Sequence, residues 1–157
     1  MREFGKYVQA VTERAAEEAQ QAGATTIEAE HLLLAMADEE GDGRRLLGSV
    51  GLDLQAVRDA LETEFRQSLT AAGITFETDS LPGASAAPGK PSRLGTSGKL
   101  VIERSMLAVG NKKKAQPAHL LLGVLELNVG TVPRALDLAG VDRAELKARV
   151  RELLGDE

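Results

Sequence analysis

Apolar residues recur every three or four positions through Phe4, Val8, Val11, Ala15, Ala19 and Ala22, which predicts an opening helix with one buried stripe. Gly23 is its natural stop. Thr25 or Thr26 is placed to cap a second helix, Thr25 with Glu28 three residues on, the spacing of a capping box. That helix carries His31, Leu32, Leu33 and Leu34 in its early turns and ends in DEEGDG at 38–43. A short helix through Arg44 to Val50 follows, stopped by Gly51. Asp53 is a candidate cap for a fourth helix, which sets Leu54, Val57, Leu61 and Phe65 on one face. Four helices therefore precede residue 70.

The second half repeats the order. EAEHLLLAMADEEG at 28–41 is answered by QPAHLLLGVLELNVG at 116–130, so His119 through Leu122 correspond to His31 through Leu34, 88 positions on. Arg45-Leu46-Leu47 and Gly51-Leu52-Asp53 are answered at an offset of 89 by Arg134-Ala135-Leu136 and Gly140-Val141-Asp142. Pro117 suits the first position of a helix, where its missing N–H costs nothing. Periodicity resumes with Leu146, Val150 and Leu153. The first helix of this half, around Leu100 to Val109, matches its counterpart poorly. Residues 82–98, PGASAAPGKPSRLGTSG, hold ten Gly, Pro or Ser in seventeen positions and read as a connector. A four-helix unit of this size exposes too much apolar face to stand alone. The expectation is one all-α domain over 1–157, eight helices in two pseudo-symmetric repeats at about 1–69 and 96–155, joined by a connector over about 70–95.

Composition narrows the function. Aromatic residues make up 3% of the chain, with no tryptophan, so the core is built from Leu, Val and Ala. The formal charge of -5 gives no overall attraction to nucleic acid or anionic lipid. Absence of cysteine removes disulfides and thiolate chemistry. No apolar run reaches the ~18 residues of a membrane span, and the opening MREFGKY lacks the apolar segment of a secretory signal. A monomeric cytoplasmic protein, with no nucleic-acid or membrane partner, is expected; the duplication supplies internally the second copy that a dimer would bring.

His31 and His119 are the obvious candidates for acid–base chemistry. Each starts a leucine-rich helix at the same place in a duplicated unit, and a histidine there can hydrogen-bond to the adjoining loop. Structural duty is the reading adopted, with a small histidine-dependent enzyme as the alternative. Neither lies in an HExxH arrangement and no ligand spacing calls for a metal, so no catalytic residue, cofactor or metal is assigned. Gly89-Lys90 fails as a phosphate loop because five residues separate Gly83 from Gly89 and Pro91 stands where Ser or Thr is needed. GTSG at 95–98 lacks the full GxSxG pattern and reads as linker. Lys112, Lys113 and Lys114 form the strongest basic cluster, and a helical DNA-binding regulator would need it together with a second basic stripe. Glu17-Glu18 and Glu39-Glu40 read as solvent-facing charge. Glu28 and Glu30 suit the positive end of the helix that they open.

ERAAEEAQQAG, TIEAEHLLLAMADEEGDG, LLGSVGLDLQAVRDAL, AHLLLGVLELNVG and RALDLAGVDRAELKARVREL, with Phe4 at the start, make the chain resemble the double repeat at the N-terminus of Clp-type ATP-dependent unfoldases, especially the ClpC branch. The first repeat is the more specific match. The resemblance implies an all-helical domain with no enzymatic activity of its own, a docking platform for adaptor proteins or substrates in Clp-dependent protein quality control. Alone, such a domain could regulate or compete with a Clp unfoldase. One subset of the family recognises phosphorylated arginine through a glutamate before each repeat histidine. Glu30 fits that position, whereas Ala118 before His119 supplies no carboxylate for a guanidinium. In actinobacterial members a surface near the first helix binds cyclic peptide antibiotics, and Phe4 matches an aromatic of that region, so the resemblance makes binding or sequestration of such a ligand a further alternative. Phe4 and Glu30 are thus the candidate binding residues.

Overall fold

A computed structural model describes residues 2–73, 89–110 and 114–155. Most of the connector, together with Lys112 and Lys113, lies outside them. Among the described residues there are eight helices and no strand: α1 Arg2–Gln21, α2 Ala29–Asp38, α3 Asp42–Ser49, α4 Leu54–Ala71, α5 Thr96–Val109, α6 Pro117–Leu125, α7 Thr131–Leu138 and α8 Arg143–Leu154.

The two histidine helices form the centre. Ala29 and every residue from His31 to Ala37 are buried, as is every residue from Ala118 to Leu125; helices apolar on all sides belong inside. α1 covers α2 and α5 covers α6, while the repeats interlock through α4 on α7 and α3 on α6 and α8. Small side chains permit the close approach. Val11, Ala15 and Ala19 carry the buried face of α1. Where α5 meets α6, a Cβ on Gly123 would collide with Ser105 Oγ and stand 2.5 Å from the Val101 carbonyl oxygen. Ser105, wholly buried, donates to that same carbonyl at 2.7 Å, which satisfies its hydroxyl without a partner from α6.

Several local expectations change. Ala22 lies beyond the end of α1 and is exposed. Tyr7 joins the core instead, under Gly43, whose lack of a side chain makes the room. Burial, followed by the nearby charges of Glu39 and Asp42, pushes its phenol pKa up. In α8 the buried set is Leu146, Val150 and Leu154, with Leu153 exposed: a strict four-residue step keeps the shorter helix on α6. Phe65, expected on the same face as Val57, is 55% exposed. Thr96, Ser97 and Gly98 are the first turn of α5 rather than linker. The turn starts there because Gly98 lets it pass over the Ile27 carbonyl, where any Cβ would collide. Just before it, Ile27 N–H donates to the Arg93 carbonyl and Gly95 N–H to the Ile27 carbonyl, both at 2.9 Å, forming an isolated parallel bridge between Ile27 and Leu94.

Candidate functional site

The two histidines do the same local work. At the start of α2 the Glu28 N–H donates to His31 Nδ1 at 2.9 Å, and at the start of α6 the Gln116 N–H donates to His119 Nδ1 at 2.9 Å. Each histidine is the third residue of its helix and satisfies an N–H that the helix leaves unpaired. The neutral ring accepts at Nδ1, which puts its proton on Nε2. Burial lowers the His31 pKa and outweighs the opposing charges of Glu30, Glu28 and Glu18.

This cap replaces the one expected from Thr25 or Thr26. Glu28 is the N-cap residue, and its carboxylate serves the other repeat. It accepts from Ser97 Oγ at 2.7 Å, Ser97 N–H at 3.2 Å and Thr26 Oγ1 at 2.5 Å, while Ser97 Oγ accepts from Ala29 N–H at 2.8 Å. The open start of α5 thereby receives a negative group, which its dipole favours. Burial alone would raise the Glu28 carboxyl, but the hydrogen bonds from Thr26 and Ser97 hold it below the usual range.

Beside this clamp runs a groove of about 580 Å³ between α1, α2 and α4, closed at one end by Thr131 of α7. Leu34, Leu61 and Phe65 give it an apolar lining, and Glu30 and His31 stand at its α2 side. Its opposite wall rests on Glu18. Far from facing solvent, Glu18 is 4% exposed, gripped by Arg58 through two hydrogen bonds of 2.8 Å and by Arg14 at 2.6 Å. Burial raises its pKa, yet the hydrogen bonds from Arg58 and Arg14 prevail and hold the carboxyl below the ordinary range. Glu64, also buried, binds Arg134 of α7 at 3.0 Å and Ser68 at 2.5 Å, fixing the far wall across the repeat boundary. Glu62 pairs with Arg66. Among the described residues the Glu30 carboxylate is thus the one in this groove that no cation occupies. Glu30 and Thr131 also line an adjoining cavity of about 280 Å³ with Val129 and Ser97.

Of the two candidate binding residues, Glu30 is in the groove. Phe4 is half-buried on α1 and lines neither cavity. Ala118, in the position corresponding to Glu30, is fully buried. Sequence reasoning set Leu61 and Phe65 on one helix face without assigning them to a site, and it missed the Glu18–Arg58 pair. The spacing of Arg14 and Glu18 hinted at a helix ion pair, but nothing local announces the partner 40 residues on. No group of three or more His, Cys, Asp or Glu that could hold a metal ion occurs among the described residues, and no helix there is long and apolar enough to cross a membrane.

Comparison with known proteins agrees with this architecture. The structure resembles the N-terminal domain of the chaperone ClpD from Arabidopsis thaliana, with a TM-score of 0.67 at 20% identity over 98% of this chain and 96% of that one. It also resembles the Hsp104 N-terminal domain from Candida albicans, with a TM-score of 0.58 at 16% identity over 96% and 90% of the two chains. A search of curated protein sequences finds no match. The sequence model described as "Clp repeat (R) N-terminal domain" matches residues 3–90, the first repeat and most of the connector that leads into the second. With the duplicated histidine caps and eight interlocked helices, that match means that the chain belongs to the Clp repeat N-terminal domain family.

Proposed function

We propose that this protein docks polypeptide segments of adaptors or clients in Clp-dependent protein quality control, and that the groove between α1, α2 and α4 receives them. The observation that carries the reading is the coincidence of an apolar lining, half-buried Leu61 and exposed Phe65, with a carboxylate, Glu30, left without a cation. An apolar side chain of the partner buries against Phe65, and a cationic group, a guanidinium included, meets Glu30. Ala118 offers nothing equivalent, so one such site per chain is expected. A cytoplasmic monomer, with both repeats contributing to a single binding unit, belongs to the same reading. So does a regulatory role in competition with a Clp unfoldase.

Titration calorimetry with a Clp adaptor or an unfolded client tests it. Phe65→Ala and Glu30→Ala should each weaken binding by about tenfold, the loss of one anchor residue, while the helical spectrum is retained. Unchanged affinity of the folded fraction in both variants would sink the assignment.

A further inference from the structure

On the outward side of α5, Leu107 is 66% exposed and Met106 47% exposed. They are adjacent in sequence and lie on the side of the helix away from Val101, Ser105 and Val109, which face the core. Their surroundings are unusual in charge. Through most of the molecule the basic side chains hold carboxylates: Arg14, Arg58, Arg66, Arg134, Arg143 and Lys147 all do so. Lys99 and Arg104 on α5, Arg93 in the segment entering it and Lys114 in the segment leaving it are exposed, and none forms an ion pair among the described residues. Glu103 is the one carboxylate that α5 carries. A chain with a formal charge of -5 thus carries two unneutralised cations, Lys99 in line with Met106 and Arg104 in line with Leu107, on the helix of the exposed apolar pair, with Glu103 between them as the opposing charge.

Solvated cations alone need no partner, and a lone exposed leucine needs no explanation. The combination does select a ligand. Covering Met106 and Leu107 with another apolar surface brings that surface's polar rim against Lys99 and Arg104, and a basic rim would be repelled there. We propose that the outward face of α5 is a second docking surface, separate from the Glu30 groove, and that it takes an acidic amphipathic segment of a partner protein. The partner's apolar residues sit on Leu107 and Met106, and its carboxylates meet Lys99 and Arg104.

A fluorescein-labelled amphipathic helical peptide with a leucine face and glutamate on its polar face is a direct probe, with the same peptide carrying lysine in place of glutamate as control. Fluorescence anisotropy on the full chain should show the acidic peptide binding at least about tenfold tighter than the lysine peptide, with affinity falling as salt rises. The pair Lys99→Glu and Arg104→Glu should abolish the preference, and Leu107→Ala should weaken binding several-fold. Glu103→Lys should tighten it, a gain that damage to the fold cannot produce. In a nitrogen-15 NMR titration the shifts should gather on α5. Equal binding of the two peptides, shifts gathered instead around Phe65 and Glu30, or indifference to Glu103→Lys would each overturn the proposal. Anionic phosphatidylserine vesicles or duplex DNA binding more tightly than the peptide, with the same dependence on Lys99 and Arg104, would also overturn it by assigning the face to a different partner.

Discussion

His31 shows how far a single residue can be read. Its repetition at position 119 argued for architecture over catalysis, and the two matching Nδ1 contacts supply the structural duty. What local sequence did not reveal was the N-cap residue: it is Glu28, whose backbone N–H donates to the ring, rather than a threonine. An acceptor at Nδ1 is all that the cap requires, and a glutamine side chain in the third position of a helix can provide one. His31→Gln should therefore cost little at neutral pH. His31→Ala loses the cap and leaves a buried N–H and a void, so a loss of about 2 kcal/mol or more is expected. Urea denaturation of the three proteins at pH 7.5 distinguishes the cases, and equal stability of the Ala and Gln variants would show that the acceptor at this position contributes nothing to the cap. Glu18 is the opposite lesson. Beside Glu17 it looks like surface charge, and only the reach of Arg58 across from α4 reveals it as a buried anchor.

At the scale of elements, the helices were legible wherever one periodic face meets one partner. α2 and α6 were recognisable as a duplicated pair, and the stops at Gly51 and Gly140 were too, both with positive φ. α5 was the poorly legible element because its identity depends on contacts with two other helices. Gly98 and Gly123 sit where α5 passes over Ile27 and α6, so the residues that look like a linker or a weak helix former are those that admit the helix. This gives a sharp test. Gly123→Ala places a methyl against the Val101 carbonyl, which is backbone and cannot rotate aside. Overpacking of this kind costs about 1–3 kcal/mol, and the melting temperature should fall accordingly. Adding Ser105→Ala removes the colliding hydroxyl but leaves the carbonyl, so the double variant should remain less stable than Ser105→Ala alone. Full recovery would mean that α5 and α6 can separate without loss, contrary to the packing described.

For the molecule as a whole, three depressed pKa values predict the response to acid. The His31 ring is held neutral by burial, so the unfolded chain binds its proton more readily than the folded one. Its contribution is complete above the unfolded histidine value of about 6.5 and is lost as pH falls from there through the lower folded value. Glu28 and Glu18 are also depressed. Their contributions are complete above the unfolded glutamate value of about 4.3 and drain away as pH falls through the folded values. Stability should thus decline in two stages, a shallow one beginning near pH 6.5 and a steeper one below about pH 4.3. Because α4 packs on α7 and α3 on α6 and α8, each stage should lower one cooperative unfolding transition shared by both repeats rather than release them in turn. His31→Gln should make the first stage shallower and leave the second, and Glu18→Gln should leave the first and reduce the second, in which Glu28 keeps its share. Thermal melts followed by circular dichroism from pH 8 to pH 3 measure both slopes. A first stage undiminished in His31→Gln would place the responsible proton elsewhere, and two separate transitions would show that the repeats fold independently despite their shared core.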